Sequence, residues 1–157
     1  MNGMGDDYYD VWLDALGRTS RPQFRALLLS RAGVALDADL ARYLLLLDMR
    51  GPTGVLELAE LLGQNHPKAS RSLARLEQLG LVRRAEAGHD RRVKTAAVTP
   101  AGHQIAEAIN DGRRKLLDDA FDGWSDRDRA QFARLSRRFA EAICTLAGPA
   151  GVDRDRS

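Results

Sequence analysis

The sequence predicts a mainly α protein with a small β-wing, and three features of it carry that expectation. Leu58, Leu61 and Leu62 recur at helical spacing, the turn Gly63-Gln64-Asn65-His66 intervenes, and Ala69, Leu73, Leu76 and Leu79 resume the period. Beyond Gly80, two β-prone runs, Leu81-Val82-Arg83-Arg84 and residues 93–98, flank the polar tip Ala87-Gly88-His89-Asp90-Arg91-Arg92. Helical segments with broad apolar stripes lie on either side of this block. The combination predicts a winged helix-turn-helix whose N- and C-terminal helices dimerise.

Taken in order, residues 1–5 are expected to be flexible, and a first helix is expected over residues 6–18, with Tyr8, Tyr9, Trp12, Leu13 and Leu16 on one side. Gly17, Ser20 and Pro22 mark a break, after which Phe24, Leu27 and Leu28 continue a second segment ending near Gly33. Residues 37–49 contain Tyr43-Leu44-Leu45-Leu46-Leu47, apolar on all sides, which makes this helix central. Gly51-Pro52-Thr53-Gly54 separates it from the helix pair. Asn65 is a competent N-cap for the second helix of that pair, and Pro67 is tolerated because first-turn amides have no partner inside a helix.

With Ala69, Leu73 and Leu76 turned inward, Lys68, Arg71, Arg75 and Gln78 form one outward stripe. Gly80 ends the helix where a left-handed residue is easiest. After the wing, Pro100 opens a helix expected to reach about Trp124, roughly 36 Å long, with Ile105, Ile109, Leu116, Leu117 and Phe121 on its apolar side. Ser125-Asp126-Arg127-Asp128 has the form of a capping box with Asp in place of Glu, and Phe132, Leu135, Phe139, Ile143 and Leu146 form the last stripe. Residues 148–157 read as a loose tail. The expected division is residues 6–36 and 100–147 for dimerisation helices, with 37–99 as the winged lobe.

The charge is concentrated. The whole chain of 157 residues carries a net charge of +2, yet residues 68–94 hold eight Lys or Arg against three acids. A basic face on a near-neutral protein is the footprint of a polyanion binder. Guanidiniums fit guanine edges and phosphates, and a charged wing tip fits a narrow minor groove, so double-stranded DNA is the expected partner. A solvated charge run is the plain alternative for the charge taken alone.

The single cysteine, Cys144, excludes an intrachain disulfide and a cysteine-based metal cluster, and its setting between Ile143 and Thr145 predicts a buried, inert thiol. No apolar run approaches a bilayer span, and the acidic start lacks the pattern of a signal peptide, so a cytoplasmic protein without membrane association is expected. His66, His89 and His103 are scattered, and no phosphate loop, nucleophile elbow or zinc-protease helix occurs. No enzyme activity, metal or cofactor is expected.

The helix pair from Leu58-Ala59-Glu60 to Leu79-Gly80-Leu81-Val82, the wing Asp90-Arg91-Arg92 and the run Val98-Thr99-Pro100-Ala101-Gly102 resemble the MarR-type winged-helix transcriptional regulators over roughly residues 38–146. Val98 stands where the family usually has Leu, and Ser70-Arg71 where it has Thr-Arg. The resemblance implies a homodimeric repressor of a pseudo-palindromic operator, released by a small ligand. It implies DNA contacts from Lys68, Ser70, Arg71, Arg75, Asp90, Arg91 and Arg92, with Arg92 in the minor groove and Asp90 bracing the tip. It further implies an effector, a small aromatic acid or phenol, in a pocket for which Trp12, Leu16, Arg42, Tyr43 and Leu46 are candidates by position. Two alternatives stay open. The terminal helices fold back on the lobe as ordinary core, or the winged helix serves protein interaction without DNA readout.

Overall fold

In the computed structural model, residues 14–15, 17–87 and 90–147 are described, with side chains for all but 85–87, 90–94 and 147 of these. Most of the expected first helix, both chain ends and the Gly88-His89 tip lie outside the described residues; residues 14–15 and 17–19 are helical. The break falls at Ser20 and Arg21. Helix α1, Pro22–Arg31, starts on its proline, whose missing amide costs nothing in a first turn. Gly33 closes it with φ 66, a value that suits a residue without a Cβ.

Helix α2, Ala38–Arg50, is capped by the Asp37 carboxylate, which accepts from the amides of Asp39 and Leu40 at 2.8 and 3.2 Å. Its all-round apolar run serves two cores. Tyr43, Leu44 and Leu47 enter the main one with Leu58, Ala59, Ala69, Leu73, Leu76, Val82 and Ala96. Ala41 faces a smaller one with Leu29 of α1 and Ile109, which Leu45 flanks. The central position expected of α2 follows from this double duty.

Strand β1, Thr53–Gly54, leads directly into α3, Val55–Leu61, and α4 is His66–Gln78. Strands β2, Val82–Ala87, and β3, Asp90–Val98, complete an antiparallel sheet in the order β1-β3-β2. The expected two-stranded wing is therefore one edge of a three-stranded sheet, with Thr53 paired to Ala96 and Gly54 to Thr95. Two residues are too few to show the alternation by which a strand is read from sequence.

The tip is also shorter than expected, because β3 begins at Asp90 and Asp90, Arg91 and Arg92 belong to the strand. The register passes from Glu86↔Lys94 to Ala87↔Asp90, which sets residues 91–93 as a bulge against a single step of β2.

Helix α5, Pro100–Ala120, ends before the expected Trp124, at a turn in which Gly123 has φ 77. Its start explains the Thr99-Pro100-Ala101-Gly102 run. Thr99 Oγ1 donates to the Gly80 carbonyl at 2.7 Å and accepts from the Gly102 amide at 3.0 Å, joining the end of α4 to the start of α5. A Cβ on Gly102 would lie 2.0 Å from the Leu81 carbonyl oxygen, so only glycine lets α5 approach the backbone so closely.

Helix α6, Asp126–Ala147, follows a corner in which Phe121, Trp124 and Phe132 meet edge to face, with ring centroids 5.2 to 5.7 Å apart. Arg129 lies 5.8 Å above the Phe121 ring and donates to the Phe121 carbonyl at 2.8 Å. The capping box forms in a variant way, with the Ser125 hydroxyl donating to Asp128 at 2.6 Å and accepting from the Asp128 amide at 3.2 Å.

Nothing in α6 is buried against the rest of the chain among its described residues. Phe132, Leu135, Phe139 and Ile143 are 44–47% exposed and Leu146 is 84% exposed. Helix α6 therefore does not fold back on the lobe. Cys144, expected to be buried, is exposed for the same reason.

Candidate nucleic-acid interface

Helix α4 is positioned at both ends by local chemistry. Asn65 accepts from the Lys68 amide at 2.9 Å. At the far end the Leu81 amide donates to the Leu76 carbonyl at 3.0 Å and Gly80 adopts φ 71, a glycine-closed helix end. Arg84 of β2 donates to Glu77 at 3.2 Å and braces the wing against α4. Ala69, Leu73 and Leu76 are buried as their spacing predicts, and Ser72 is buried beside them.

The opposite face presents Arg71, Arg75 and Gln78, all exposed. Arg75 donates to Gln78 at 3.1 Å, which holds that guanidinium along the helix. Ser70 is half-buried on the flank. Lys68 is engaged elsewhere, its ammonium 3.0 Å from Asp39 at the start of α2. That hydrogen bond is the main reason the Asp39 carboxyl lies below its ordinary value; burial, the next largest effect, opposes it, and the Lys68, Arg25 and Arg42 charges add to the lowering in that order. For Asp90, Arg91 and Arg92 the backbone is described as strand and bulge, and their side chains fall outside the described residues.

A cavity of about 270 Å³, including its open mouth, lies between α1, α2 and α5. Leu28, Leu29, Ala38, Ala41, Leu45 and Ile109 form its apolar wall, and Arg25, Arg42 and Arg113 bring three guanidiniums with no acid among the lining residues. Arg25 Nε is buried without a hydrogen-bond partner, an open donor beside the cavity. Arg42 also reaches the Leu62 carbonyl at 3.4 Å, in the turn that precedes α4.

Of the three pocket candidates among the described residues, Arg42 lines this cavity. Tyr43 is 2% exposed in the main core and Leu46 packs against that core; neither lines the space. Trp12 and Leu16 lie outside the described residues. Arg25 and Arg113 were not singled out from sequence. The available signal was a cation set in an apolar stretch: Arg25 follows Phe24, and Arg113 is one turn beyond Ile109.

Among the described residues, no group of three or more His, Cys, Asp and Glu can hold a metal, and no helix is long and apolar enough to cross a membrane. His103 lies at the start of α5 with Nδ1 2.7 Å from Asp48 of α2 and Nε2 3.6 Å from Glu107. The Asp48 hydrogen bond, and then the two carboxylate charges, raise the His103 pKa above its ordinary 6.5. A raised value means stability that is fully present below 6.5 and lost as pH rises through the folded-state pKa. Thermal melts should therefore separate wild type from His103→Gln at pH 5.5 and converge well above neutrality. A gap that widens with pH would contradict the assignment.

The exposed basic face of α4, its braced end and the sheet beside it define a winged helix-turn-helix DNA-binding protein. Comparison with known proteins makes this specific. The MarR family model matches residues 40–93. The uncharacterized HTH-type transcriptional regulator YxaD of Bacillus subtilis (strain 168) is 33% identical over 103 residues, 64% of this chain and 72% of YxaD.

Among solved structures, a MarR family protein from Bacillus stearothermophilus superposes with a TM-score of 0.77 at 20% identity, covering 91% of this chain and 98% of that one. RV1404 from Mycobacterium tuberculosis gives a TM-score of 0.73 at 23% identity, covering 90% and 96%. At such identities the structural likeness speaks for the fold. The chain belongs to the MarR family of transcriptional regulators, and it is a DNA-binding regulator.

Proposed function

We propose that this regulator is a homodimeric repressor that reads a pseudo-palindromic operator with α4 in the major groove and the wing in the minor groove, and that an organic anion in the α1–α2–α5 cavity releases it. The observation that carries the reading is the exposed Arg71-Arg75-Gln78 face on a helix anchored at both ends. In-vitro selection from random duplexes should return a two-fold site with half-site centres roughly 10 bp apart. Failure to enrich any duplex favours a protein-interaction module instead.

The two reading elements separate by substitution. Arg71→Ala or Arg75→Ala is expected to cost about 1–3 kcal/mol and relax preference at one base position. Arg92→Ala is expected to weaken all sites alike, lower the salt slope by about one phosphate-equivalent and leave base preference unchanged. Selection with each variant at two salt concentrations reads both effects. A changed base preference at the helix-contacted positions with Arg92→Ala contradicts the division of labour.

The cavity's apolar wall and three guanidiniums suit a small aromatic carboxylate, whose ring the wall desolvates and whose charge the arginines pair. Benzoate is a minimal probe. Wild type is expected to lose operator affinity with benzoate, and Arg42→Ala to respond less; equal responses remove Arg42 from the site.

A further inference from the structure

Asp39 stands between the DNA-reading helix and the cavity. It lies in the first turn of α2, but the cap of that helix is Asp37, so the Asp39 carboxylate is not needed to hold the helix end. It is turned instead to Lys68, Nζ to Oδ2 3.0 Å, across to the first turn of α4. Lys68 is three residues before Arg71 and shares its side of the helix. The ammonium that Asp39 holds is thus a neighbour of the guanidinium placed on the DNA-facing stripe. The pair is 40% and 41% exposed, and surface ion pairs of this kind are weak and readily exchanged.

Ala38, the neighbour of Asp39 on α2, lines the cavity. Arg42 is three residues further along α2 and on the same side, and Arg42 and Arg25 both line the cavity. Their charges act on the Asp39 carboxylate together with that of Lys68.

We propose that Asp39 competes with DNA phosphate for Lys68, holding the regulator below its full affinity, and that the charges of Arg25 and Arg42 set how strongly it competes. The inference rests on α4 being the DNA-reading helix. With the two guanidiniums unneutralised, their positive charge offsets part of the pull of Asp39 on Lys68, and Lys68 is easily surrendered to a phosphate. An organic anion in the cavity neutralises the arginines, Asp39 tightens on Lys68, and the negative field at the start of α4 grows. Release of DNA then requires a shift of charge rather than a large movement of the helix.

The experiment measures duplex affinity against salt by fluorescence anisotropy, on an operator selected with the wild-type protein. Asp39→Asn keeps the shape and removes the charge, and thermal melts confirm that it folds. It is expected to bind about two- to fivefold tighter, the scale of one surface ion pair, with a salt slope steeper by up to about 0.9.

Lys68→Met is expected to bind more weakly, and adding Asp39→Asn to it to recover nothing. Arg25→Met, which removes a cavity charge, is expected to weaken binding in the wild-type background and to have no effect beside Asp39→Asn. Unchanged or weaker binding by Asp39→Asn overturns the competition, while the DNA-reading assignment stands on the wild-type affinity. An equal effect of Arg25→Met in both backgrounds overturns the link to the cavity. If the wild type selects no duplex, both readings fall together.

Discussion

Gly102→Ala is expected to destabilise the protein by about 3 kcal/mol or more, at or beyond the upper end of what overpacking costs. In an exposed helix the same change is favourable by about 0.5–1 kcal/mol, because alanine loses less backbone entropy. The sign reverses here because the new methyl lies 2.0 Å from the Leu81 carbonyl oxygen and 2.9 Å from a Val98 methyl. The obstacle is backbone at the start of β2, fixed by the Thr99 amide bonding the same carbonyl at 3.1 Å, so it cannot swing aside as a side chain does.

Gly112 offers a graded control, since its added Cβ meets Ala32 at 2.9 Å where α5 passes the end of α1. Gly112→Ala should cost less than Gly102→Ala, because only the short segment after α1 has to give. Chemical denaturation of the two variants ranks them. A Gly102→Ala protein as stable as wild type would mean that α5 does not approach the sheet as described. The prediction also bears on function, because the Thr99 to Gly102 junction joins the end of α4 to α5.

What was legible in the sequence was local. The period of Ala69, Leu73 and Leu76, the Asn65 cap and the Gly80 stop lie within one short stretch, and together they define the face that Arg71 and Arg75 occupy. Strand β1 escaped because its evidence is its partner, β3, far along the chain. The cavity escaped for a related reason: Arg25, Arg42 and Arg113 come from three helices, and no spacing within one helix brings them together. The run Tyr43 to Leu47 was rightly central, but an all-apolar stretch does not reveal which residue faces which core. Tyr43 accordingly turned to the main core and Arg42 to the cavity. The Lys68 and Asp39 pair has the same character, joining helices that the sequence gives no reason to set side by side.

Ile143→Asp is expected to convert a dimer into a folded monomer and to lower operator affinity by about 10²–10⁴-fold, the range lost when two linked half-site contacts become independent. The argument starts from the α6 stripe. Leu135, Ile143 and Leu146 are spaced for one side of a helix and are 44%, 47% and 84% exposed, with Leu117 of α5 and Trp124 at the corner also exposed. Apolar surface of this extent, carried on a helix with no buried residue among those described, is the mark of a protein interface.

A second copy of the same helix suits it, because a two-fold axis through α6 pairs each stripe with its equivalent and closes the assembly. Since Ile143 is already exposed in the single chain, aspartate there leaves both cores intact, so lost folding cannot mimic lost association. Sedimentation at micromolar concentration distinguishes the two, with circular dichroism as the check on folding. Glu141→Ala, on the far side of α6 from Ile143, should leave both mass and affinity unchanged. A dimer that survives Ile143→Asp with full operator affinity would place the interface elsewhere. The affinity loss follows from the proposed two-fold reading, in which one α4 would reach one half-site and only a partner fixed at one DNA turn would bring the second helix to bear without a further entropic cost.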